Sequence, residues 1–300
     1  MPQTSALATR ADRGTSWMLP EAKNENLLYI PFASHHRKRY AVYVYSFPGA
    51  KLVGKLAQSY TPYGECVDVI GDIYFAEGSK VIEYAHGGTQ PIKTLPNPKS
   101  SDSTFFSCAI DRETGNLAVV AQYDNGGAYI LVYPNGSGSP EEYTGIGEMR
   151  YSEYCTYDTR GDLFVLGTNY QGYDAELEEL LRGRSSFLKV HLQHNAVKID
   201  YIAGIQWHNN RLVIAGSNPS VVRLAVNGSK RKRAVETSQT PLAGSSDIGE
   251  FWIQSNWIAV PNGITGTIGI YGYPNGRQIK TISSGSGFLG LASAVSVAPK

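Results

Sequence analysis

The stretch PYGECVDVIGDIYFAEGSKVIEYAHGGTQPIKTL, residues 62–95, decides the fold because its pattern returns along the chain. An apolar run ends at Asp68, turns through Val69-Ile70-Gly71-Asp72 and re-enters a second apolar run, Ile73-Tyr74-Phe75, which is a hairpin signal. After a break at Glu77-Gly78-Ser79, an alternating run over residues 80–85 leads through His86-Gly87-Gly88 into a shorter strand over residues 91–95. The unit is four antiparallel strands, a to d: one blade of a β-propeller.

The same punctuation precedes apolar runs at Asp111 and Asp158, and weaker copies stand at His208-Asn209-Asn210 and Gln254-Ser255-Asn256. From Asp68 to Asp111, Asp158, His208 and Gln254 the steps are 43, 47, 50 and 46 residues, the period of a four-stranded blade rather than of a helical solenoid. Residues 26–32, 40–47 and 52–57 read as strands b, c and d with no strand a before them, and residues 289–298 read as the missing strand. The expectation is an all-β, six-bladed β-propeller whose C-terminal strand completes the N-terminal blade, so that no sheet edge is left open there.

Residues 1–25 are expected to form a flexible tail in which Trp17-Met18-Leu19-Pro20 is an apolar anchor on the outside of the disc, and residues 26–300 the single propeller domain. One segment conflicts with the pattern. Residues 175–182, AELEELLR, are strong helix formers, yet the repeat places them where strand c of the second blade lies, so a strand is expected.

The net charge of +1 provides no long-range field for nucleic acid or an anionic membrane, and no apolar run is long enough to span a bilayer. Two basic clusters, His35-His36-Arg37-Lys38-Arg39 and Lys230-Arg231-Lys232-Arg233, fall on opposite faces in this register and read as solvated turns rather than a phosphate-tracking groove. Cys66, Cys108 and Cys155 all fall on innermost strands of successive blades. They read as small buried hydrophobes, with a redox pair or metal cluster as the alternatives, and an odd count leaves at least one free thiol. The protein is either cytoplasmic or exported with its signal peptide removed, and the few charges and many Tyr, Gly, Ser and Asn favour export. A monomer is expected.

The motifs Gly64-Glu65-Cys66-Val67-Asp68 with Gly71-Asp72-Ile73-Tyr74-Phe75, Ser107-Cys108-Ala109-Ile110-Asp111 with Gly115-Asn116-Leu117-Ala118-Val119, and Tyr154-Cys155-Thr156-Tyr157-Asp158 with Gly161-Asp162-Leu163-Phe164-Val165 resemble those of six-bladed NHL-repeat propellers. The chain also resembles uncharacterised bacterial propeller proteins that carry Trp17-Met18-Leu19-Pro20 near the start and Val295-Ser296-Val297-Ala298 at the end. The NHL resemblance implies a binding platform. Related six-bladed folds include calcium-dependent lactonases, for which Glu65, Glu153, Asp247 and Glu250 are the available carboxylates, but the Asn ligands and a His base are missing. The six histidines, His35, His36, His86, His191, His194 and His208, are scattered over blades, and Gly285-Ser286-Gly287 lacks the context of a nucleophile elbow.

The d-a and b-c loops, which share one rim called the top, are the longer and more aromatic ones, and long loops on a rigid scaffold are where function concentrates. The expected reading is therefore a non-catalytic binding propeller whose top face holds a protein, peptide or glycan, with Tyr63, Glu65, Glu153, Tyr154 and Glu250 lining the pocket at the channel mouth. The alternative is a metal-assisted lactonase or esterase; no cofactor is expected in the first case and calcium in the second.

Overall fold

The computed structural model describes residues 15–34, 39–99, 103–124, 126–147, 149–169, 174–193, 203–215, 219–228, 232–283 and 293–299. Its strands fall into six blades. Blade two is Pro62–Val67, Ile73–Glu77, Lys80–Tyr84 and Pro91–Pro96, and blade three is Ser103–Ile110, Leu117–Tyr123, Ala128–Tyr133 and Glu141–Tyr143. Blade four runs Met149–Tyr157, Leu163–Asn169, Ala175–Leu180 and Leu188–Gln193; blade five Ile205–His208, Arg211–Ala215, Ser220–Asn227 and Lys232–Pro241. Blade six is Trp252–Gln254, Trp257–Asn262, Thr267–Gly272 and Gln278–Ser283.

Blade one is assembled from both ends of the chain. Ala294–Ser296 is its innermost strand and pairs antiparallel with Leu27–Ser34, Leu27 opposite Ser296 and Tyr29 opposite Ala294. Arg39–Ser46 and Leu52–Gln58 follow outwards. The closing strand is tied in by the Ala298 N–H, donated to Asn26 Oδ1 at 3.0 Å, and by Ser296 Oγ, 2.5 Å from His86 Nδ1. Each innermost strand touches the next and the ring closes.

The core is the set of interfaces between blades. Leu27 and Tyr29 pack against Phe75 and Tyr84 of blade two, while the alternate residues Leu28 and Ile30 pack against Ile268 and Ile270 of blade six. Strands buried on both faces read as unbroken apolar runs, and for that reason the period-2 alternation of a half-exposed strand is absent from the b strands.

Three expectations change. Trp17–Met18 is a fifth strand on blade one, Trp17 opposite Lys55, followed by a 3-10 turn over Pro20–Asn24 whose Ala22 joins the core, so ordered structure starts well before residue 26; residues 1–14 lie outside the described residues. Cys66 and Cys108 are not separate packing residues but a disulfide, Cα to Cα 5.6 Å, joining the innermost strands of blades two and three; Cys155 is free and buried. Lys232 of the second basic cluster is not a solvated turn residue: its ammonium donates to Glu179 Oε1 at 2.7 Å, where the outer strands of blades four and five pair in parallel. His35, His36, Arg37 and Lys38 lie outside the described residues, as do Lys230 and Arg231. In blade four Ala175–Leu180 is a strand, since tertiary pairing on both sides outweighs its helix propensity.

Candidate functional site

Every innermost strand runs from the top rim towards an a-b turn, and those turns are built by short-range chemistry. Asp68 Oδ1 accepts the N–H groups of Ile70 and Asp72 at 3.0 and 2.9 Å, and Asp158 Oδ1 those of Arg160 and Asp162 at 2.8 and 2.9 Å. Asp111 accepts the Glu113 N–H at 3.1 Å and the Thr114 hydroxyl at 2.6 Å. The recurring Asp is thus an Asx-turn residue that folds each hairpin back on itself. Blades five and six substitute left-handed residues, Asn209 and Asn210 at φ 49° and 56° and Ser255 at 55°, which suit two-residue hairpin loops.

A cavity of about 580 Å³ occupies the end of the channel that these turns surround. Glu65 and Glu250 lie at its inner end. Tyr157, Trp207, Phe251 and Trp252 supply aromatic wall, Cys155 and the Cys66–Cys108 disulfide supply sulfur, and exposed turn residues such as Arg112, Thr159 and Ser255 form the mouth. Trp207 stacks on Phe164, ring centroids 5.8 Å apart and 9° from parallel, which holds the indole in the blade four to five interface. Gln206 ties blade five to blade six by accepting the Ile253 N–H at 2.6 Å and donating to the Ile253 carbonyl at 3.1 Å.

At the inner end the Glu250 carboxyl meets the backbone of Glu65, 185 residues away along the chain. Glu250 Oε2 accepts the Glu65 N–H at 3.4 Å and Oε1 accepts the Ser107 hydroxyl at 2.8 Å, while Ser293 donates its N–H to the Glu250 carbonyl at 2.9 Å. Two glycines make room for this. A Cβ on Gly64 would stand 2.5 Å from Ser107 Cα, and one on Gly204 3.0 Å from Glu250 Cα. Glu65 is 1% exposed and Glu250 5%, and neither forms an ion pair with a described Lys, Arg or His. Burial therefore pushes the Glu250 carboxyl up to about 8; burial, then the charge of Glu250, pushes Glu65 well above the ordinary carboxylate range, opposed by the Ala294 N–H.

The structure brings Glu65 and Glu250 together and separates them from the other three candidates. Tyr63, Glu153 and Tyr154 do not line this cavity. Tyr63 packs on Phe106, centroids 5.4 Å apart, and Glu153 is pushed up to about 7 by burial alone. The cavity lies at the a-b turns; much of the opposite rim, including residues 100–102, 148, 170–173, 194–202, 216–218 and 284–292, lies outside the described residues. Trp207, Trp252 and Cys155 line the cavity without having been nominated for it; their signal is a position one to five residues before an a-b turn, which loop length does not reveal. Asp247, in a left-handed turn at φ 52°, also stays off the cavity. Among the described residues one group, Asp68, Asp72 and Glu83, brings three carboxylates within 4.8 Å, but Asp68 and Asp72 accept turn and strand N–H groups and Glu83 holds Lys93 at 2.8 Å.

No protein-family model and no curated protein matches this chain. Solved structures do resemble it in fold. A chain of a nidogen–laminin complex superposes with a TM-score of 0.65 at 10% identity, covering 92% of this chain and 99% of that one. A protein of unknown function from Bacteroides caccae gives 0.62 at 12% identity over 91% and 99%. The Cps50 (Swd1) β-propeller domain of Myceliophteria thermophila gives 0.56 at 9% identity over 90% and 86%. At such identities the likeness concerns the propeller fold and not the site.

Proposed function

We propose that this chain is a non-catalytic binding propeller that holds a segment of a protein or peptide partner at the a-b turn end of its channel. The observation that carries the reading is the concave cavity of about 580 Å³ with aromatic walls and buried carboxyl groups at its inner end, the combination of apolar surface and few convergent polar groups that binding sites use. That a similar chain belongs to a nidogen–laminin complex supports a protein as the partner. The NHL-type repeat reading is compatible with the same role. The Cys66–Cys108 disulfide favours an oxidising compartment, hence an exported protein. Among the described residues no helix is long and apolar enough to cross a membrane.

Panning a random peptide display library on purified protein tests the reading. Thr159 is an exposed residue at the mouth, so Thr159→Trp is expected to block the cavity without touching the core. Peptides enriched on the parent protein and lost on Thr159→Trp support the proposal. Failure to enrich any sequence, or enrichment indifferent to Thr159→Trp, overturns it.

A further inference from the structure

We propose that the inner end of the cavity recognises a primary ammonium group, with the Glu65 and Glu250 carboxyl groups as its counter-charge and the Trp207 and Trp252 rings as walls for its alkyl stem. The inference rests on the cavity being a binding site and names the chemistry that enters it: a lysine side chain or an amino terminus.

The contrast with other buried glutamates leads there. Glu83 and Glu179 each hold a lysine ammonium within 2.8 Å, and Glu77 has Lys80 at 3.6 Å. Glu65 and Glu250 are as deeply buried and adjacent, yet neither has such a partner among the described residues, and the Glu65 carboxyl is met there only by the Ala294 N–H. Among the described residues the cations near the channel are committed elsewhere or sit at its mouth. Arg160 is held by Asp158 and Asp162, Arg182 by Asp111 and Glu113, and Arg112 is exposed on a turn. A bare carboxyl pair in a cavity is a cost that a cationic ligand removes.

The walls decide which cation. A calcium ion takes six to eight oxygen ligands, whereas the inner end has two carboxyl groups, one of them already accepting the Ser107 hydroxyl, among indole, phenyl and sulfur surface. Aromatic faces with a buried carboxylate are instead the pattern for an organic ammonium, held by charge and by attraction to the ring face.

Binding also has a proton signature. Burial keeps the Glu65 and Glu250 pair protonated near neutrality, so an arriving ammonium ionises it and protons leave to solvent. The other titratable groups facing the pair are the Cys155 thiol, pushed up by burial, and, towards the mouth, Tyr157, Asp111, Asp158 and His208.

Calorimetric titration with n-butylammonium chloride at pH 7, in two buffers of different ionisation enthalpy, tests the assignment. The expected result is saturable binding with proton release, no binding of n-butanol, and a loss of at least tenfold in affinity together with the proton release in Glu250→Gln. Equal binding of n-butanol, unchanged affinity in Glu250→Gln, or tighter stoichiometric binding of calcium chloride that Glu250→Gln abolishes would overturn it. Peptide capture that is sensitive to Thr159→Trp but unaffected by competing n-butylammonium would overturn the ammonium assignment and leave the binding reading standing; n-butylammonium binding with no peptide capture would do the reverse.

Discussion

Glu179 in blade four and Glu250 in the channel both have carboxyl groups withdrawn from water, and the fold treats them differently. Glu179 is fully buried and receives the Lys232 ammonium at 2.7 Å, with Arg160 at 3.8 Å. Glu250 receives only the Ser107 hydroxyl and the Glu65 N–H, and its nearest acidic neighbour is another buried glutamate. In blade four the cation is part of the protein and fastens two blades together. In the channel no described cation stands beside the carboxyl groups, which lie at the base of a cavity. Buried charge that is paired internally reads as architecture, and buried charge left facing a cavity reads as a site.

The largest expected effect breaks the paired region. Lys232→Met keeps the stem volume and removes the ammonium, leaving Glu179 with an exposed arginine at 3.8 Å. A destabilisation of about 3–5 kcal/mol is expected, the range for a buried charge whose partner is deleted. Urea unfolding at pH 7 measures it. A change under about 1 kcal/mol would show that Arg160 carries the pairing and that the contrast with Glu250 is overdrawn.

Glu250→Gln should act in the opposite direction. The folded-state pKa of Glu250 is raised from the ordinary 4.5 to about 8. The stabilising protonated form is therefore fully populated below pH 4.5, and stability is lost as the pH climbs through 8. Glutamine keeps the shape and cannot ionise. Near pH 4 the variant should match the parent, and at pH 9 it should be more stable by roughly 4–5 kcal/mol. Thermal unfolding across that range checks the sign; a variant less stable at pH 9 would place an internal cation beside Glu250.

How much of this the sequence displays depends on the range of the interaction. Asp68, Asp111 and Asp158 announce the hairpins because an Asx turn is made within four residues. The strand over Ala175–Leu180 is legible only through the repeat, since its own composition favours a helix. Glu65 and Glu250 could be nominated from their positions on innermost strands. Their encounter needs the ring to close, which no local pattern displays. The Cys66–Cys108 disulfide was hidden by register: Cys66 pairs with Tyr74, one step beyond the position of Glu65, whereas Cys108 and Cys155 hold the Glu65 position in their own blades.

A smaller effect sharpens the geometry of the channel. Gly64→Ala inserts a methyl 2.5 Å from Ser107 Cα, so the innermost strands of blades two and three must separate. A cost of about 1–3 kcal/mol is expected for such overpacking. Because Ser107 then retreats from Glu250, the carboxyl loses the hydroxyl that holds its pKa down, and its titration should move further upwards, a shift that carbon-detected NMR of the Glu250 carboxyl reads directly. Destabilisation with no shift would mean that the Ser107 contact survives the insertion.

The smallest effect concerns Glu77, which has features of both regions. It is completely buried and burial raises its pKa, yet Oε1 already accepts the Ser59 hydroxyl at 2.8 Å and the Tyr60 N–H at 3.0 Å. Lys80 stands farther away, at 3.6 Å, with about a third of its side chain in solvent. Lys80→Met should therefore cost under about 1 kcal/mol, since a partly exposed lysine is screened and two neutral donors stay in place. Ser59→Ala removes one of those buried bonds and should cost more than Lys80→Met. If Lys80→Met instead approached the loss expected for Lys232→Met, a distant ammonium would be supporting a buried carboxylate as well as a contacting one, and the channel pair could no longer be called unpaired merely because no cation touches it.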